Sequence, residues 1–214
     1  MAITISAEAP KDCDLCPRLR QFILDQRMKE PNWFNGAVPS FGNEDAELLV
    51  IGLAPGLTGA NRTGRPFTGD WAGDLLYETL GKFGLTDGIY DRRPDDGLKL
   101  NRTMITNAVR CVPPQNKPVG AEINQCRPFL KARIDALSGV KVLLCLGKIS
   151  HDSTIRTLGA RLKDHPFGHA SEYKIGDLTV LSSYHCSRYN TNTGRLTAQM
   201  FEHVFARAKA LIDA

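Results

Sequence analysis

Six cysteines are the first residues in this chain whose types and spacing suggest chemistry. Cys13-Asp-Leu-Cys16 is a C-x2-C pair in polar surroundings, and Cys111 and Cys126 form a C-x14-C pair far downstream. Four thiolates from two pairs can hold zinc or an iron–sulfur cluster, and this spacing gives no preference between the two. Cys145 lies inside an apolar run and reads as a buried structural thiol. Cys186 follows His185, but adjacent strand residues face opposite ways, so the two do not read as a nucleophile and its base.

A second set of residues sits in "GLAPGLTGANRTGRPFTGD", Gly52 to Asp70. So long a loop is uncommon in a compact domain unless it has a function. It is not a phosphate loop. Gly59 to Gly64 has the spacing, but Arg65 replaces the lysine and Pro66 the metal-binding hydroxyl. Pro66 also removes a backbone donor that a phosphate cradle needs. The dinucleotide pattern G-x-G-x-x-G is absent. Phe67 reads either as a plug that packs the loop down or as a platform for a flat ring. Asp70 precedes a helical pattern, so its default role is an N-cap.

Two further positions end apolar runs. Asn107 closes "ITN", where its amide either satisfies loop backbone or reads the edge of an amide-like ring. His185 opens "HCSRYNTNTGR", a polar stretch with two arginines and one tyrosine. Ser187 to Arg195 suits phosphate contacts and insertion into a base stack, or else is a solvated loop before the last helix.

The elements that must position these residues follow from periodicity. Glu47–Ile51, Thr103–Ala108, Val140–Leu146 and Leu178–Ser183 read as buried strands. Helical patterns lie between them, and a further helix is expected over Pro17–Lys29. Alternating strands and helices argue for a parallel sheet covered on both faces. Ligands of such sheets bind beyond the carboxyl ends of the strands. Three of those ends carry the polar text above, and one crevice should gather them.

Bulk properties narrow the class. The chain has 214 residues, 42% hydrophobic, with net charge +4 and pI near 8.8. That balance permits nucleic acid without requiring it. No apolar run reaches the roughly 20 residues of a membrane span. The N-terminus does not read as a secretory signal, so the thiols are expected in a reducing cytoplasm.

Taken in order, "GLAPG…GANRTGRPFTGD", "ITNAVRC", "YHCSRYNTNTGRLT" and the two cysteine pairs resemble the family 5 uracil-DNA glycosylases, the thermophile-type B branch. The resemblance covers roughly residues 10 to 210, and its first motif is long and specific. It implies an α/β fold, a three-layer α/β/α sandwich with a central four-stranded parallel sheet. It implies one domain over residues 1–214, its N-terminal extension contributing to an iron–sulfur site. A [4Fe-4S] cluster would sit on Cys13, Cys16, Cys111 and Cys126.

The implied activity is hydrolytic removal of uracil, and of other deaminated or modified bases, from duplex DNA, leaving an abasic site. The flipped base would stack on Phe67, with its edge on Asn107 and backbone near Leu53 and Ala54. Asp70 would orient water and stabilise the sugar cation, and His185 would donate toward the departing base. Arg188, Tyr189, Asn190 and Arg195 would enter the minor groove. The enzyme is expected to be a monomer with no membrane partner. Cys186 departs from the family's usual His-Pro-Ser, and Leu53 stands where family 4 typically has glutamate. The rival expectations are a family 4-like uracil-specific enzyme, a non-catalytic iron–sulfur lesion-binding module, and a zinc-bound structural protein.

Overall fold

Four runs of consecutive buried residues form the middle of one sheet. The computed structural model describes residues 6–214. Residues 1–5, which open the expected 1–214 domain and the N-terminus read as no secretory signal, lie outside the described residues. In chain order the elements are α1 (Pro17–Lys29), β1 (Phe41–Gly42), β2 (Leu48–Gly52), α2 (Ala60–Thr63) and α3 (Trp71–Lys82). Next come β3 (Thr86–Asp87), β4 (Lys99–Leu100), β5 (Thr103–Asn107), α4 (Gly120–Ala136) and β6 (Val142–Leu146). Then follow α5 (Lys148–Thr157), β7 (Glu172–Ile175), β8 (Leu178–Ser183), α6 (Arg188–Asn192) and α7 (Ala198–Asp213).

The strand order is β1-β5-β2-β6-β8-β7. The four central strands are parallel, as the sequence led us to expect. Two antiparallel edge strands, β1 and β7, extend the sheet. Both are short, β1 with two residues and β7 alternating over only four, too few for periodicity to single them out. A separate two-stranded sheet pairs β3 with β4.

Alternation along each central strand sends its side chains to two cores. Leu48 and Val50 of β2 pack with Leu76 and Leu80 of α3 and Phe201 and Phe205 of α7. Leu49 and Ile51 face the other way, onto Leu130 and Ile134 of α4 and Ile155 of α5. Helices thus cover both faces, and the strands are buried throughout, as parallel sheets require. Among the described residues no helix is long and apolar enough to cross a membrane.

Three of the longer helices, α3, α4 and α7, start on an identifiable side-chain contact. The Asp70 carboxylate accepts the Gly73 N–H of α3 at 3.2 Å. Thr197 accepts the Met200 N–H of α7 at 3.1 Å. At α4, Glu122 reaches back to the Val119 N–H at 2.8 Å. That same carboxylate is held by Arg18 of α1 through two 2.7 Å bonds, which tie the N-terminal helix to α4.

The stretch from Gly52 to Asp70 is not wholly loop, for α2 forms inside it. Its far end is pinned by Arg65. The guanidinium makes paired 2.7 Å bonds to both oxygens of Asp96 and a third to Thr68. It also lies 5.0 Å from the Phe41 ring and 5.5 Å from Tyr77. The side chains of Arg65 and Asp96 are 5% and 1% exposed. Asp96→Ala would leave a buried cation unpaired, and should lower stability by about 3 kcal/mol in urea unfolding at pH 7. The Arg65 bonds hold the Asp96 carboxyl well below the usual carboxylate range. Its stabilisation is therefore present above about pH 4 and is lost as pH falls toward the depressed value, a loss the variant should not show.

Candidate active site

The carboxyl ends of β2, β5 and β8 open onto one pocket of about 390 Å³. Leu53, Ala54, Phe67, Asp70, Asn107, His185 and Arg188 line it, all of them residues that the sequence singled out. Parallel register explains part of this. Gly52 pairs with Asn107, so the two strand ends stop side by side.

The packing there is tight enough to demand glycine. A Cβ on Gly52 would overlap the Asn107 amide oxygen and lie 2.7 Å from the Phe67 ring. A Cβ on Gly59 would overlap the Asp70 carboxylate, and one on Gly56 would lie 2.8 Å from it. Phe67 is held at a φ of 53°, a region that bulky residues enter only at a cost of about 1–3 kcal/mol. Local bonds fix it there. Tyr77 donates to the Pro66 carbonyl at 2.8 Å and Tyr90 to the Phe67 carbonyl at 3.2 Å.

Phe67 is 7% exposed, and its ring stacks with His185 at 5.9 Å and 25°. Plug and platform are thus compatible: the ring is packed from behind and still lines the pocket. Asp70 is the expected N-cap and also a pocket wall. Burial raises its carboxyl above the usual range, while the Gly73 and Ala72 N–H groups pull it down. His185 is pushed down to about 4 by burial, so its imidazole is neutral at pH 7. Its Nδ1 is buried without a hydrogen-bond partner among the described residues. The Asn107 side chain is nearly buried, and no bond to its amide is found among the described residues. The pocket thus presents a carboxylate, a neutral imidazole, a free carboxamide and an aromatic face.

The last polar stretch is not a loop throughout. Ser187 caps α6, and the residues expected at one surface divide. Arg188 lies 5.5 Å from the Trp71 ring at the pocket rim. Tyr189 is 72% exposed. Asn190 donates to the His185 carbonyl at 2.8 Å, so it fixes the backbone that carries the imidazole. Arg195 is 4.7 Å from the Tyr184 ring and does not line the pocket. Cys186 faces away from His185 and is fully buried, its thiol donating to the Ala72 carbonyl at 3.4 Å. That bond joins the His185 segment to the first turn of α3.

Trp71 and Asn116 are among the pocket residues that sequence reasoning missed. Trp71 is 49% exposed and donates to Thr191 at 3.0 Å. An exposed tryptophan opening a helix beside Asp70 was the available signal. Asn116 lines the pocket from a turn where it and Gln115 both have positive φ. The prolines bracketing "PPQNKP" marked that turn.

Cys13, Cys16, Cys111 and Cys126 line a second, smaller pocket between α1 and α4. The Arg110 N–H donates to the Cys126 sulfur at 3.2 Å. Among the described residues no group of three or more potential ligands closes on a single metal ion. Burial first, and the neighbouring thiols after it, raise Cys16 and Cys111. Cys126 is pushed up to about 11. Four thiolates here would need a compensating cation, and a bound metal core would supply it. The donor set therefore fits such a group. Cys145 and Cys186 lie in the sheet cores, away from this pocket.

The family model of the uracil DNA glycosylase superfamily matches residues 39–209. A type-5 uracil-DNA glycosylase of Thermus thermophilus is 42% identical, with 93% of each chain covered. One of Mycobacterium tuberculosis is 39% identical over 93% of this chain and 78% of its own. A type-4 uracil-DNA glycosylase of Sulfurisphaera tokodaii is 30% identical over 78% of this chain and 73% of its own. With a strand-end pocket of this shape and relatives of this similarity along nearly its whole length, the chain belongs to the uracil DNA glycosylase superfamily, in its type-5 branch.

Proposed function

We propose that this protein is a DNA repair glycosylase, a single domain over residues 1–214 that acts as a monomer on uracil in duplex DNA. The observation that carries this reading is the convergence of Phe67, Asp70, Asn107 and His185 in one pocket at the strand ends. A base within a duplex is out of reach, so the nucleotide must flip out, at a cost of a few kcal/mol. Stacking on Phe67 and hydrogen bonding to Asn107 offset that cost. Backbone beside Leu53 and Ala54 completes the rim around the base.

Cleavage of the N-glycosidic bond leaves cationic character on the sugar and negative charge on the base. Asp70 meets the first. Its carboxylate orients water toward the anomeric carbon, accepts a proton as the new C–O bond forms, and stabilises the cation. The raised pKa supports that basic role. His185 meets the second. A neutral imidazole donates a hydrogen bond to the base oxygen where charge gathers, without neutralising Asp70. The base departs with the bonding electron pair and is protonated from solvent. Arg188, Tyr189, Asn190 and Arg195 lie on or beside α6, which would meet the minor groove; Asn190 contributes through the backbone it holds.

The pocket's volume, and Leu53 rather than an acidic residue on its wall, support a range extending to other deaminated bases. Cys13, Cys16, Cys111 and Cys126 would hold a [4Fe-4S] cluster with a structural role. Zinc on the same four thiolates is the rival reading, and metal analysis separates the two. Such a cluster is consistent with a cytoplasmic protein whose thiols stay reduced.

The deciding experiment is a labelled duplex with one uracil opposite guanine, treated or not with hot alkali after incubation. Breakage only after alkali is the expected result, and Asp70→Asn should lower base release by orders of magnitude while duplex binding persists. Intact strands with every deaminated base would remove the reading in favour of a lesion-binding module. Histidine NMR should place the His185 midpoint near pH 4, with no inflection in base release at the ordinary value of about 6.5. Because the unfolded chain takes up this proton first, stability should fall as pH drops from about 6.5 toward 4. Cys13→Ala should strip iron and brown colour from the purified protein, and metal analysis that returned zinc would refute the cluster.

A further inference from the structure

A cleft of about 240 Å³ lies between the first half of α4 and the length of α5 and has no part in the chemistry above. Asn124 and Arg127 of α4 and Asp152, Ser153 and Arg156 of α5 form its polar lining. Two polar atoms there are buried with no hydrogen-bond partner among the described residues: Arg127 Nε and Ser153 Oγ. Ser153 is 1% exposed. A buried polar atom left unpaired is destabilising. Two such donors bordering one cleft mark the place where an acceptor would complete the set.

The charges point to an anion. Two arginines, Arg127 and Arg156, line the cleft against a single carboxylate. Such crowding of two cations is relieved by a negative group between them. The one acidic side chain in the lining, Asp152, is already engaged by Lys148 at 2.5 Å. Arg127 spends its Nη2 on the neutral Asn124 oxygen at 2.7 Å. A tetrahedral oxyanion would accept from Arg127, Arg156 and the Ser153 hydroxyl.

The cleft also stands where DNA would pass. Helices α4 and α5 begin at the sheet end that bears the catalytic pocket. Gly147, just before α5, is so close to His185 that an added Cβ would sit 3.4 Å from the His185 Cβ. Asn116 lines the pocket and Gly120 lines the cleft, one short turn apart.

We infer that the Arg127–Ser153–Arg156 cleft is a phosphate-binding site, which takes a backbone phosphate of the duplex beside the flipped nucleotide. The DNA source rests on the glycosylase reading; the phosphate chemistry does not.

The test has two arms, both on the full chain. In the first, without DNA, melting temperature is followed in inorganic phosphate and in chloride at equal ionic strength. Phosphate should protect the wild type, and the protection should vanish in Arg127→Gln/Arg156→Gln. Equal protection of both, or none of the wild type, overturns the site. Should the double variant not fold, Arg156→Gln, which alters an exposed side chain, and Ser153→Ala carry the same comparison. In the second arm, affinity for an abasic-site duplex is measured against sodium chloride. Loss of one phosphate contact lowers the log–log slope by about 0.9, with base release at low salt retained. Phosphate protection lost while the slope is unchanged keeps the site and assigns it to a free phosphate compound. Base release is scored separately, so a protein that binds phosphate but releases no base would sink the glycosylase reading alone.

Discussion

Asn107, Phe67 and Asp70 occupy space that side chains on Gly52 and Gly59 would fill. The pocket depends on that exclusion. Two parallel strand ends stop in register, and the loop leaving one of them folds back across both. Its aromatic ring can come down between them only because the strand residue beneath it has no Cβ. The same loop then reaches the start of α3 with its carboxylate turned toward Gly56 and Gly59. Sterics at the backbone therefore decide which functional groups meet.

Holding a ring and a carboxylate in so crowded a space has a cost, and the fold carries it elsewhere. Phe67 keeps a positive φ because Tyr77 and Tyr90 bind the carbonyls on either side. Arg65 locks the neighbouring residues through Asp96, in a bidentate pair almost free of solvent. This rigidity matters electrostatically. Burial that lifts Asp70 and depresses His185 works only if neither side chain can swing into water. A carboxylate and an uncharged imidazole then persist side by side at neutral pH.

The thiol-lined pocket belongs to the same system. The chain between Cys111 and Cys126 includes the strained turn that places Asn116 at the catalytic pocket. Arg18 of α1 grips Glu122 and also donates to the Lys117 carbonyl at 3.1 Å. The N-terminal helix thus braces a wall of the site from behind. Cys186 braces the opposite side, with its thiol on the Ala72 carbonyl where a proline would have fixed the chain by its ring.

The sequence by itself determined the central strands, their order of polar ends, the cysteine pairs and the pocket residues from Leu53 to His185. These were legible because burial imposes continuous apolar runs, and because parallel sheets send functional text to one end of each strand. It did not reveal β1 or β7, since edge strands of two and four residues are too short for a pattern to stand out and owe their place to a neighbour. Nor did it reveal α2, Trp71 or Asn116. Those positions follow from contacts between segments distant in the chain. Only the tertiary structure decided that Asn190 serves the His185 backbone while Arg188 meets Trp71. Hydrogen-bond partners across a turn are chosen by distance in space, which spacing in sequence does not encode.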